Sequence, residues 1–523
     1  MLRKSAGIAI IIRILTRICR ACFRNSSMTP LSDLHQLIHA TSTPERRYFR
    51  MWGNMQTSAS EWNYLQLFDA ILKQKDYDEA AIKQQFAGTK IAKNLAVEKH
   101  YLYMQLLKCL RQYRTRNRKD LQLREMIDAV EILAEKGMAE AAWRLLQRAS
   151  KLAVKLDLPL VRMEIHILER RMGKQILKKK KANSSGDGGK EILGVVENEM
   201  DYHLLYDRFS MMLGQNHSAR KAESEAELKE MLAHPLMSKI ELAQSFYART
   251  LFLQMKASAA FLRGDFEASL DYYGENLAEW RRYPNAIQRF PRRFLRVLGN
   301  YMTGLQKADR FSEIPAVLEE MRKCKKKYGI LDTHNDTREY HFELLYYANI
   351  GKFEEAHIAA DRMQKFFLQF EDKLHMKWKL PSAFNLAAVF FILGEFKKAL
   401  RWINYIIQVE PTDKRKQIQH SSRIFQLVVH YELENLELLE YLMRNSKAYL
   451  RRHASMDRFE LAVLNTMRDL MRAVTKKDRQ RACQQLFSVL DSGFKKQIVG
   501  LDEIKAWARA RSEGQKMTDV LPT

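Results

Sequence analysis

Apolar residues in this chain recur three and four positions apart, the spacing that places them on one face of an α-helix. In AFNLAAVFFIL (Ala383–Leu393) they fall at Leu386, Val389, Phe390 and Leu393. A second such face follows in KKALRWINYIIQVEP (Lys397–Pro411). The phrase GEFKKAL (Gly394–Leu400) joins the two, and GDFEASL (Gly264–Leu270), DRFSEI (Asp309–Ile314) and GKFEEA (Gly351–Ala356) are variants of it. Their aromatics Phe266, Phe311, Phe353 and Phe396 are 45, 42 and 43 positions apart. Gly394 suits the end of a first helix because it tolerates a left-handed cap, and Pro411 disfavours continuing the second. Small residues such as Ala387 and Ala399 allow the helices to approach closely. Each pair leaves an apolar face that only a neighbouring pair covers, so the period predicts a stack of helix pairs.

In this register the residues resemble the tetratricopeptide repeat family. Leu386, Ala387, Phe390, Gly394, Phe396, Ala399, Ile403 and Pro411 occupy its Leu, small, aromatic, Gly, aromatic, Ala, large apolar and Pro positions. Gly351, Phe353 and Ala356 fit as well, with Leu344 at the small position; Gly264, Phe266 and Ala257 fit, with Ser269 in place of Ala. Upstream, Gly137 and Ala142 match while Ala139 stands in the aromatic slot; downstream, Leu436, Arg479 and Ala482 continue the period. The family repeat is about 34 residues, so steps of 40 to 45 imply longer helices or connections. The resemblance implies an all-α, right-handed α-α superhelix, a solenoid of antiparallel helix pairs that binds protein or peptide. Its groove positions map to Gln254, Phe261, Arg296, Arg338, His341, Phe384 and Phe391. Arg296 and Arg338, 42 residues apart, would form a basic ladder for a partner with carboxylates.

Composition agrees with the helical reading. Twenty Gly and ten Pro in 523 residues are too few for the turns of an all-β protein. The segment KKKKANSSGDGGK (Lys178–Lys190) offers nothing to bury and reads as a linker over 178–193. It divides an N-terminal helical region, 28–177, from repeats over 194–500, followed by a helix end and polar tail over 501–523. Residues 1–27 carry six basic and no acidic residues around an apolar run broken by Arg13. That run is too short to span a bilayer. The segment is expected to precede the true start at Met28, the alternative being an amphipathic membrane-surface helix.

No sequence pattern supports catalysis, a cofactor or a metal site. Five scattered cysteines suit a reducing cytoplasm rather than a disulfide framework, and Cys19-Arg20-Ala21-Cys22 lacks the second pair a zinc site needs. The net charge of +26 attracts anionic partners. Its densest patch, WRRYPNAIQRFPRRFLR (Trp280–Arg296), interleaves four aromatics with six arginines. Such a patch can grip single-stranded nucleic acid, but Phe290, Phe294 and Val297 have core spacing, so the aromatics are expected to pack between repeats. The sequence thus predicts a non-enzymatic interaction scaffold, cytoplasmic, binding an acidic or extended segment through Gln254, Arg296, Arg338, His341 and Phe384. Nucleic-acid binding through the basic surface is the alternative.

Overall fold

The computed structural model describes residues 30–56, 63–176, 188–214, 221–330, 332–374, 376–409, 416–452, 458–493 and 498–521. Among these, 26 α-helices and a few 3₁₀ turns make up the regular structure, and there is no strand. Residues 1–27, with Cys19 and Cys22, lie outside the described residues, as do 178–187 of the expected linker and Pro411.

Two compact units divide after Ala129. The first contains α1 (Pro30–Ala40), α2 (Thr43–Gln56), α3 (Asn63–Lys73), α4 (Glu79–Gln85), α5 (Lys90–Lys93), α6 (Leu95–Thr115) and the start of α7 (Lys119–Glu135). Its core gathers Ile38, Phe49, Phe68, Ile71, Leu102 and Leu106. The buried Lys99 donates to Glu79 at 2.6 Å. Its bond, with that of Lys83, holds the Glu79 carboxyl down at about 2.

The second unit continues with α8 (Ala139–Lys155), α9 (Pro159–Ile176), α10 (Gly188–Gly214), α11 (Lys221–Leu232), α12 (Phe246–Arg263) and α13 (Phe266–Arg282). Next come α14 (Pro284–Arg289), α15 (Pro291–Lys307), α16 (Ile314–Tyr328), α17 (Thr333–Asn349), α18 (Phe353–Phe370), α19 (Met376–Ile392) and α20 (Phe396–Gln408). The unit ends with α21 (Lys416–Glu432), α22 (Leu436–Arg452), α23 (Arg458–Arg472), α24 (Lys476–Gly493), α25 (Leu501–Glu513) and α26 (Met517–Val520). Gly188–Leu193, expected as linker, is the first turn and a half of α10.

The repeated phrase is a backbone device shared by five of its turns. Gly264, Asp309, Gly351, Gly394 and Glu434 all have φ between +56° and +80°. Each sits two residues before Phe266, Phe311, Phe353, Phe396 or Leu436, where the next helical segment starts. The N–H of the following residue donates to the carbonyl five positions back, as from Glu395 to Phe390 at 2.8 Å and from Asn435 to His430 at 3.0 Å. That bond closes a helix end whose carbonyls would otherwise lack donors. Gly137 repeats the geometry ahead of Ala139.

Packing around these turns recurs as well. Phe261 meets Phe266 edge-on at 5.5 Å, and Phe391 meets Phe396 at 5.7 Å, so equivalent aromatics brace two of the turns. The small positions Ala257, Ala356, Ala387 and Ala399 are fully buried, as is Leu344. Ser269, in an Ala position, is buried because its hydroxyl donates to the Ala257 carbonyl at 2.9 Å. The period slips only at Arg479, which lies inside α24. There the turn has no left-handed residue; Thr475 and Asp478 instead cap the helix reciprocally. The C-terminal segment is no polar tail. Trp507 is fully buried, Met517 and Val520 are buried, and Glu432 accepts from the Trp507 indole at 2.7 Å.

The left-handed turns make a stability prediction. A Cβ at Gly394 would meet no atom within 4 Å, so Gly394→Ala should cost about 1 kcal/mol, from backbone conformation alone. Glu434→Gly should instead gain up to about 1 kcal/mol by relieving the same strain. Urea unfolding midpoints of the two variants check the opposite signs.

Candidate polar groove on the first helices

Successive first helices, α12, α15 and α17, bring polar side chains from three repeats into one hydrogen-bonded line. Gln254 of α12 donates to Ser258 at 3.0 Å and accepts from the Asn300 amide of α15 at 3.0 Å. The Asn300 oxygen in turn accepts from Arg338 Nη2 of α17 at 2.7 Å. Arg338 Nη1 donates to the Arg296 carbonyl at 3.3 Å. Gln254, Arg296 and Arg338 are therefore brought together, and Asn300 is the member that joins them.

Arg296 and Arg338 differ in environment, so they do not form a ladder of equivalent exposed cations. Arg296 is exposed, whereas Arg338 is only 4% exposed. Gly299 makes that burial possible. A Cβ at this position would stand 2.5 Å from Arg338 Cζ and 2.6 Å from Nη1, so the guanidinium lies against bare α15 backbone. Trp378 covers it from α19, with its ring centroid 5.2 Å from Cζ. Burial, reinforced by the charge of Arg296, pushes the guanidinium down to about 10.

His341 and Phe384 take structural places. His341 is buried, meets Trp378 edge-on at 5.4 Å, and has Nδ1 3.1 Å from the Asn385 amide nitrogen. Burial and the Arg338 charge push it down to about 4, so the neutral ring accepts from Asn385. Phe384 packs on Phe425 at 5.8 Å, and a Cβ at Gly500 would stand 3.3 Å from its ring. The segment leading into α25 covers the face that the repeat register assigns to an open groove.

The open part of the groove is a cavity of about 300 Å³ walled by α10, α12, α13 and α15, with Gln254, Asn276, Asn300, Arg293 and Arg296 among its lining residues. Arg293 is exposed and lies 5.1 Å from the Phe290 ring and 5.8 Å from Tyr247. Neither Arg293 nor Arg296 forms an ion pair with a described carboxylate, although Asp207 faces the same space. Their neighbours are neutralised: Arg281 by Glu320, Arg282 by Glu279 and Arg292 by Asp332, at 2.5, 3.2 and 2.9 Å. The aromatics of this patch are not a stacking platform. Trp280 and Phe294 are buried, and Tyr283 and Phe290 are half-buried against the same cluster.

A second basic groove, of about 450 Å³, lies between α22 and α23. It is lined by Arg444, Lys447, Arg468 and Arg472, with Glu440 the one acidic residue in its wall and Met443, Leu461, Leu464 and Met471 among the apolar ones. Sequence reading missed it because its four cations come from two helices and form no run. Among the described residues no group of three His, Cys, Asp or Glu side chains is placed to hold a metal ion. No described helix is long and apolar enough to cross a membrane. Compared with known proteins, the chain matches no protein-family model and no curated relative.

Two predictions follow from the buried line. Gly299→Ala should drive the guanidinium out of its seat and cost about 1–3 kcal/mol by overpacking, read from chemical denaturation. Burial and the Arg338 charge hold His341 down at about 4, below the ordinary histidine value of about 6.5. The unfolded chain therefore takes up this proton first, and stability present above about pH 6.5 is lost as the pH falls towards 4. The full loss amounts to roughly 3 kcal/mol. Unfolding curves across that range should be flatter for His341→Gln than for the parent.

Proposed function

We propose that this chain is a non-enzymatic interaction scaffold, binding an acidic, extended segment of a protein partner in the groove between its first helices. One observation carries the reading: Arg293 and Arg296 stand exposed and without carboxylate partners in a concave space, while three arginines beside them are neutralised within the fold. A cation left free in a groove is available for bidentate pairing with a carboxylate. The amides of Gln254, Asn276 and Asn300 supply neutral donors and acceptors for a peptide backbone. The finer architecture of this reading is a right-handed tetratricopeptide-like superhelix of antiparallel pairs, and its compartment is the cytoplasm. The recurring left-handed turns support the former, the buried thiols of Cys109, Cys324 and Cys483 the latter.

Affinity purification from the native cell with the parent and with Arg293→Glu/Arg296→Glu tests this. The double reversal should release the partner or weaken binding at least tenfold. An unchanged partner set would remove this groove from consideration.

Nucleic-acid binding is supported at a different place, by the four cations between α22 and α23. On that reading, affinity for a single-stranded oligonucleotide falls steeply with salt, with a log–log slope near −0.7 per phosphate contacted. Arg444→Glu/Arg468→Glu should flatten the slope. No retention at low salt would dispose of the reading.

A further inference from the structure

Several part-buried arginines of the second unit are matched with acids. Arg249 pairs with the buried Glu279 at 2.6 Å. Arg322 pairs with Glu339 and Glu343 at 2.7 and 2.9 Å, and Glu343 also takes Arg362 at 3.1 Å. Arg338, next to Glu339 in sequence, points to the other side of α17, where its hydrogen-bond acceptors are a backbone carbonyl and an amide. Its Nε has no acceptor, and neither has the indole Nε1 of Trp378 stacked on it. An uncompensated buried guanidinium is costly, because desolvation is not offset by an opposite charge. Such a group is expected where a charge is supplied from outside.

The space for it is present. Arg338 and Trp378 line a cavity of about 230 Å³ with Tyr273, Asn300, Ser258 and Thr303. Its remaining walls, from Leu213, Phe261 and Leu262, are apolar. One fixed cation among neutral polar, apolar and aromatic walls matches a monoanion, whereas a dianionic phosphate would leave a charge unmatched. The planar guanidinium fork favours a carboxylate among monoanions. The volume lies below the roughly 300–1,000 Å³ typical of drug-sized ligands.

We propose that this cavity binds a small organic carboxylate with an aromatic or branched apolar body, its charge meeting Arg338. The ligand is distinct from the acidic segment assigned to the open groove, and the site does not require that assignment. Asn300 lines both spaces, so a carboxylate on a groove-bound peptide is the other source of the same chemistry, and the test must separate the two.

Calorimetric titration and thermal melts of the full chain would use phenylacetate and 4-methylpentanoate, their neutral amides, inorganic phosphate and a Glu-rich peptide. At least one of the free acids should bind saturably and raise the Tm, with the matching amide at least tenfold weaker. Arg338→Met should abolish that binding, and Arg293→Glu, which lies in the open groove and does not line this cavity, should leave it within about threefold, while weakening the peptide. Should Arg338→Met fail to fold, Arg338→Lys, which keeps the charge without the fork, should bind the acid at least tenfold more weakly. Equal binding of acid and amide, preference for phosphate, acid binding that survives loss of the guanidinium, or no binding by either acid would overturn the proposal. Binding of the peptide alone, lost in the Arg338 variants, would overturn it too and give Arg338 to the groove.

Discussion

The left-handed helix end is the constraint on which the second unit depends. A helix that stops on a residue with positive φ, and ties a carbonyl of its last turn to the N–H beyond, has its exit defined by backbone hydrogen bonding as well as by side-chain contact. Because the same closure recurs at Gly264, Asp309, Gly351, Gly394 and Glu434, five turns share one geometry. First helices then pack beside first helices, and positions about 42 residues apart become neighbours. Gln254, Asn300 and Arg338 are hydrogen-bonded for this reason.

Much of that arrangement was legible in sequence, because a turn needing positive φ selects glycine and the aromatic after it marks the next helix. The reading held even where the residues departed from the phrase: Asp309, Glu434 and Ala139 occupy the expected geometry without the expected side chain. It slipped at Arg479, where Thr475 and Asp478 end the connection by side-chain capping, which leaves no glycine in the sequence. The apolar C-terminal cap was missed because α26 has only Met517 and Val520 to mark it.

The site was legible in part. Arg296 and Gln254 line the candidate groove, and Arg338 donates to the Arg296 carbonyl. The burial of Arg338 was not readable, because exposure on a helix face is decided by what lies opposite, here a glycine on α15 and a tryptophan on α19. Gly299 was the available clue: a glycine in a helix interior costs roughly 1 kcal/mol, so its presence asks for a close approach. Phe384 was misplaced for the complementary reason, since the segment that covers it arrives more than a hundred residues later.

The joints of the array are not of equal strength. Three of the five recurring turns use glycine, for which the left-handed conformation is nearly free, whereas Asp309 and Glu434 hold it against the preference of a side-chain-bearing residue. In a stack whose stability is a sum of nearest-neighbour terms, strain concentrates opening at particular seams. Backbone strain in the array is therefore concentrated before α16 and before α22. The segment between them holds Arg338, whose bonds to Arg296 and Asn300 of α15 cross the first of these turns and fasten the strained joint from the side.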